Sequence, residues 1–186
     1  MTDERWRLFV AAPIAARTAA ELHGALRALR ELHPEVRWLP PEQYHDTLVF
    51  LGQTEATDVP RLAGAVERAA VRRQAFVARL SGAGGRDDGP RGGVAWVTVA
   101  DGRLELAELA RIVDEELEAA AYGQRRPLPH ITVARRVDRA LLDDLRRDAA
   151  RLGIEWRVDR VVLFRSHTGP SGSSYEELAA APLSGA

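Results

Sequence analysis

Apolar positions along the chain switch between a period of two and a period near 3.6, and the switches mark its elements. Trp6 to Ala12 is an apolar run closed by Pro13, which predicts a buried strand. Leu22, Ala25, Leu26, Leu29 and Leu32 then recur at helical spacing, with Pro13 suited to the helix start. His23 falls off that stripe and is expected to face solvent. His33, before Pro34, is expected at the helix end, where its proton suits the dipole. Val36 to Leu39 predicts a strand stopped by Pro40-Pro41, and His45 to Leu51 predicts another that ends at Gly52. Leu62, Val66 and Ala69 mark a second helix reaching Arg73. Phe76 to Leu80 reads as a strand, Ser81 to Gly93 as a Gly- and Asp-rich loop or flap, and Val94 to Val99 as a strand carrying Trp96. Leu106, Leu109, Val113 and Leu117 line a third helix ended by Gly123. The strand His130 to Ala134 follows, then a helix from Asp138 with Leu141, Leu145 and Leu152 inward and Gly153 as its stop. Val158 to Phe164 reads as a late strand, Ser166 to Ser174 as a loop, and Tyr175 to Leu178 as a final edge strand.

Strands interspersed with helices in this order point to an α+β fold, with helices on the outer faces of antiparallel sheets. At 186 residues the chain suits one domain or two small lobes sharing a core. Two of the strands carry the same short pattern, His45-Asp46-Thr47-Leu48 and His130-Ile131-Thr132-Val133. Residues i and i+2 of a strand share a face, so each copy presents an imidazole and a hydroxyl together. Two facing sheets would bring these faces together across one groove.

Composition narrows the chemistry. The formal charge of −1 leaves no broad basic field for coating nucleic acid, so phosphate recognition has to be local. The absence of cysteine excludes disulfides, thiolate nucleophiles and Cys-based zinc sites. All 26 basic residues are arginine, which excludes a lysine nucleophile, a Schiff base and a Walker-type phosphate loop. No apolar run is long enough to span a membrane and no signal-peptide pattern opens the chain, so a cytoplasmic protein is expected.

Histidine titrates near ~6.5, so around neutrality one imidazole can accept a proton while its twin donates one. Placed on opposite sides of a phosphorus atom, the pair can deprotonate a water and protonate a leaving ribose oxygen. The hydroxyls of Thr47 and Thr132 can donate to the non-bridging oxygens where charge gathers. This chemistry needs no cofactor and no metal, and no third ligand stands at metal-binding spacing from His45 and His130.

These residues resemble the paired His-x-Thr-x signatures of the 2H phosphoesterase superfamily. More narrowly, the chain resembles its RNA 2′,3′-cyclic phosphodiesterase family, the LigT-like 2′-5′ RNA ligases. The likeness includes Arg7 to Ala11, Val36-Arg37-Trp38, Pro41-Glu42, Phe50-Leu51-Gly52, Pro129 to Arg135, Phe164-Arg165-Ser166, Gly172 and Tyr175. It implies a single bilobal domain over residues 1–186, with two pseudo-symmetric halves of one motif each and two antiparallel sheets flanking the groove. It implies hydrolysis of a terminal 2′,3′-cyclic phosphate to a 2′-phosphate, with reversible 2′-5′ joining of RNA ends in some members. The expected partner is RNA or a nucleotide with a 2′,3′-cyclic phosphate end, met by a monomer without metal or membrane. His45 and His130 are then the catalytic pair, with His130 activating the water and His45 protonating the 3′ oxygen, although exchanged roles fit the sequence equally. Thr47, Thr132 and Arg135 are substrate-binding candidates. Strict alternation from His130 puts Arg135 on the wrong face, so a bulge or strand end is needed.

Tyr44, His167 and Tyr175 are further possible groove contacts, Phe50 and Trp96 possible base-stacking rings, and Arg125 and Arg126 a possible basic rim. Asp46 fills a slot that is usually apolar in the family. Burying it unpaired would cost several kcal/mol, which predicts solvent or an arginine beside it. The rival readings are another 2H activity, on 2′-5′ oligonucleotides or a different cyclic phosphate, and an RNA-end binding module without turnover.

Overall fold

The strand β5 (Val94–Asp101) shows how the sheet is built. Ala95, Val97 and Val99 are buried, while Val94, Trp96 and Thr98 between them are half-buried. One face of the strand enters the core and the other does not. A computed structural model describes residues 4–88, 92–118, 127–169 and 172–186. Among these the remaining strands are β1 (Arg5–Pro13), β2 (Arg37–Trp38), β3 (His45–Glu55), β4 (Phe76–Arg86), β6 (His130–Arg135), β7 (Ile154–Val158), β8 (Arg160–Gly169) and β9 (Gly172–Pro182). The helices are α1 (Ala16–Ala25), α2 (Arg27–Leu32), α3 (Val59–Val71), α4 (Arg103–Glu118) and α5 (Arg139–Ala149).

The strands pair antiparallel in the order β7-β4-β5-β6-β3-β1-β8-β9, with β2 on the edge of β6. Where β6 meets β3 the ladder shrinks to one pair, Asp46 with Ile131. The sheet is thus two antiparallel halves hinged at that pair, and each half ends at the hinge in a motif strand. The buried residues of the helices join one core on one side of the sheet, with α3 on β8, β9 and α4, α4 on β3, α5 on β4, α1 on β7, and α2 against α1 and α5. The apolar stripes of the sequence fill this side, with Leu22, Leu62, Val66, Leu106, Leu109, Val113, Leu117, Leu141 and Leu145 all buried. A smaller cluster of Phe9, Ala11, Val162 and Phe164 lies apart from that core, with Tyr175 packed against it.

Several expectations change. The helix expected from Leu22 to Leu32 is two helices, parted at Leu26. Leu22, Leu26 and Leu29 stay buried across the break, so their spacing could not reveal it. The expected Ser81–Gly93 flap is largely strand, because β4 continues to Arg86. Its glycines serve close packing. A Cβ on Gly84 would lie 2.6 Å from Nε1 of Trp96, and one on Gly85 would lie 2.1 Å from Cδ2 of Leu142. The expected Ser166–Ser174 loop is also mostly strand, since Ser166, His167 and Thr168 pair with Tyr175, Ser174 and Ser173. The late strand is divided at Asp159, and β7 ahead of it alternates buried Ile154, Trp156 and Val158 with exposed Glu155 and Arg157. Gly123, Arg125 and Arg126 lie outside the described residues.

Candidate active site

Both motifs face the side of the sheet that the helices leave bare. In β3 the register sets His45 opposite Pro13 and Thr47 opposite Ala11, on the face of the Phe9 cluster. In β6, His130 and Thr132 are level with Thr98 and Trp96, the half-buried face of β5. The Asp46–Ile131 pair is antiparallel, so one step either way brings His45 level with Thr132, and Thr47 with His130. Each imidazole therefore stands across the hinge from the other motif's hydroxyl.

The rings are held alike. His45 Nδ1 lies 2.7 Å from the Gln43 carbonyl and His130 Nδ1 lies 2.6 Å from the Leu128 carbonyl. A carbonyl only accepts, so each Nδ1 carries the hydrogen and each Nε2 is the nitrogen left for proton transfer. Their surroundings differ. His45 packs against Phe9 at 5.0 Å between ring centroids and edge-on to Tyr175 at 5.1 Å, with Phe164 at 6.2 Å. This burial holds its pKa down, at about 4. The bond to Gln43 opposes that shift, while positive charge on His130 and Arg135 adds to it. His130 and Arg135 are thus near enough for their charge to be felt at His45. His130 itself lies against Trp96, at 5.3 Å.

Arg135 reaches the bare face through the bulge that alternation demands. Between Thr132, opposite Trp96, and Ala134, opposite Ala95, the residue Val133 is extra. Arg135 then falls opposite Val94, in line with Thr132 and His130. Arg37 of β2 pairs with Arg135, and its guanidinium occupies the space a side chain at Gly172 would need. The chain just before the first motif is tied to that same turn, where Gln43 Nε2 donates to the Ser173 carbonyl at 2.9 Å.

Three candidates from the sequence move away. Tyr44 is buried on the helix side, its hydroxyl 3.2 Å from Nδ1 of His23, which is half-buried and keeps part of its expected exposure. Burial accordingly pushes the Tyr44 phenol up to about 12. His167 alternates with Ser166 onto the opposite face of β8 and pairs with Glu176 at 2.8 Å. Asp46 is shut off from solvent, and no arginine among the described residues pairs with it. It is 1% exposed and accepts the backbone N–H of His130 at 2.8 Å, and burial raises its pKa to about 8. Tyr175 does reach the site, as an edge against His45. The sequence reading missed Phe9, Phe164 and Arg37, which sit inside the blocks that carry the family likeness but had no role there. Among the described residues no three His, Cys, Asp or Glu side chains cluster as metal ligands do. No described helix is long and apolar enough to cross a membrane.

A family model described as the 2′-5′ RNA ligase superfamily matches residues 11–170. The RNA 2′,3′-cyclic phosphodiesterase of Thermus thermophilus is 35% identical over 183 residues, spanning 92% of this chain and 87% of its own. Among solved structures, the apo form of Escherichia coli LigT superposes with a TM-score of 0.73 at 26% identity, covering 97% of this chain and 98% of its own. LigT complexed with phosphate superposes with a TM-score of 0.68 at 25% identity over the same shares.

Proposed function

Because the chain belongs to the 2′-5′ RNA ligase superfamily, we propose that it hydrolyses terminal 2′,3′-cyclic phosphates of RNA to 2′-phosphates by acid–base catalysis between His45 and His130. The observation that carries this reading is the pairing of the motifs across the hinge. Two imidazoles, each oriented by a main-chain carbonyl through Nδ1, stand close enough that positive charge on His130 is felt at His45, with a threonine beside each. The resemblance to a curated RNA 2′,3′-cyclic phosphodiesterase supports the substrate, and a solved complex of LigT with phosphate agrees with a phosphoryl ligand.

In the proposed step a water oxygen attacks phosphorus and the bond to the ribose 3′ oxygen breaks. His45, kept neutral by its apolar walls, takes the water proton on Nε2, and His130 delivers its Nε2 proton to the 3′ oxygen. This reverses the roles first expected from the sequence, because three aromatic rings pack around His45 and one around His130. Thr47 and Thr132 donate to the non-bridging oxygens, and Arg135 adds fixed positive charge at the same face. The products are a 2′-phosphate and a free 3′ hydroxyl. The test is product identification from an oligonucleotide ending in a 2′,3′-cyclic phosphate, with EDTA present. Formation of the 2′-phosphate at an undiminished rate is expected. A 3′-phosphate product, or tight binding with no product, would remove the reading.

A further inference from the structure

We propose that Asp46 is a positioning residue: by accepting the main-chain N–H of His130 it sets the distance between the two motif strands. The inference rests on the functional reading above and extends it to a residue outside the His and Thr set.

Three observations and one physical rule lead to it. The two halves of the sheet share one ladder pair, and Asp46 is a member of it. The matching slot of the second motif holds Ile131, fully buried among apolar side chains, so the position itself does not require polarity. A carboxyl placed there carries a desolvation cost that a neutral apolar residue would not. Its hydrogen bond at 2.8 Å goes to a residue 84 positions away, at the start of the other motif strand. The bond spans the hinge rather than closing a local turn.

His130 is thus tied to both halves of the sheet. Its ring is tied to the Leu128 carbonyl within its own half, and its main chain is tied to Asp46 of the other half. Losing the tie to Asp46 leaves every ring contact in place while freeing His130 to drift relative to His45. Acid–base pairs tolerate such drift poorly, because a misplacement of roughly 1 Å can cost on the order of 100-fold in rate. Burial keeps the Asp46 carboxyl protonated at neutral pH, which makes asparagine its close isostere and leucine the residue that restores an apolar slot.

The experiment measures kcat and KM separately for hydrolysis of a 2′,3′-cyclic mononucleotide by the unmodified protein, Asp46→Asn and Asp46→Leu. Each is assayed well below its own melting temperature. Asp46→Asn is expected to keep kcat within about threefold, because an acceptor oxygen remains. Asp46→Leu is expected to lower kcat by roughly 10- to 100-fold with KM changed less than about threefold, since binding groups are untouched. If the leucine variant does not fold, Asp46→Ala is held to the same criteria. Wild-type kcat in the folded leucine or alanine variant overturns the proposal, as does an asparagine variant as impaired as leucine. Turnover by the unmodified protein is measured first. Its absence overturns the functional reading, whereas its presence with an unimpaired leucine variant overturns this proposal alone.

Discussion

His45 and His130 hold the same place in a repeated motif, and both donate Nδ1–H to a carbonyl two residues earlier. The neighbouring strands make them unequal. β1, β8 and β9 bring three aromatic rings to His45, while β5 brings one to His130. The intervening residue differs as well, a carboxyl in one copy and isoleucine in the other, although both are buried. A duplicated pattern therefore supplies two chemically alike imidazoles, and the walls around one of them, His45, hold its pKa down. Acid–base catalysis needs that inequality, since two rings of identical charge could not act in opposite senses at once.

The largest test of the comparison removes each ring. His45→Ala and His130→Ala should each lower kcat by roughly 10²- to 10⁴-fold on a cyclic nucleotide. A substrate with sulfur in place of the bridging 3′ oxygen needs little help from an acid. It should restore much of the rate to His130→Ala and little to His45→Ala. The opposite pattern would return the roles to those first expected from the sequence.

The hydroxyls come next. Thr47→Val and Thr132→Val should each cost on the order of 10- to 100-fold in kcat if they donate to the phosphoryl oxygens. The buried Thr47 should cost more than the half-buried Thr132, because water replaces its hydroxyl less readily. Equal rates for either variant and wild type would place that hydroxyl outside the reaction.

A smaller effect tests the walls directly. Tyr175→Ala should admit water to His45 and raise its pKa from about 4 toward the ordinary 6.5, followed by NMR titration of the ring. Trp96→Ala, on the other half, should leave that titration unchanged.

The smallest effect is on stability, and its sign depends on both shifted groups. His45 binds a proton below 6.5 in the unfolded chain but only below about 4 when folded, so its contribution is present above 6.5 and lost as pH falls toward 4. Asp46 binds its proton up to about 8 when folded but only below 3.8 unfolded, so its contribution is fully present below 3.8 and fades as pH rises to 8. Between 4 and 6.5 the two slopes cancel, and above 6.5 the Asp46 slope alone remains. Urea unfolding should therefore show stability falling by about 1–2 kcal/mol between pH 6.5 and 8. Asp46→Asn should abolish that fall.

Much of this site is legible in the residues themselves. The two His-x-Thr strands and their shared face follow from a period of two, and the need for a bulge ahead of Arg135 follows once the family likeness puts that arginine in the groove. The glycines of β4 misled for a local reason. A run such as Ser81-Gly82-Ala83-Gly84-Gly85 reads as flexible until Trp96 and Leu142 are seen to occupy the space where side chains would stand. Tyr44 and His167 misled because closeness to a motif or groove along the chain does not decide a face. Each is turned to the other side, toward His23 and Glu176. Phe9 and Phe164 are apolar residues on strands, and nothing nearby in sequence separates a wall of the site from a core residue.

By itself the sequence determined which chemistry is available. It has paired imidazoles and hydroxyls on strands, arginine in place of any lysine, no thiol, and helices with one apolar stripe. These follow from residue identity and short-range periodicity. Only the tertiary structure decided which imidazole three aromatic rings enclose, that the two halves share a single ladder pair, and that a carboxyl lies across it. Those features join β1, β3, β6, β8 and β9, whose residues are tens to more than a hundred positions apart. Desolvation, which sets the charge of His45 and Asp46, depends on what the fold packs around a group and not on its neighbours along the chain.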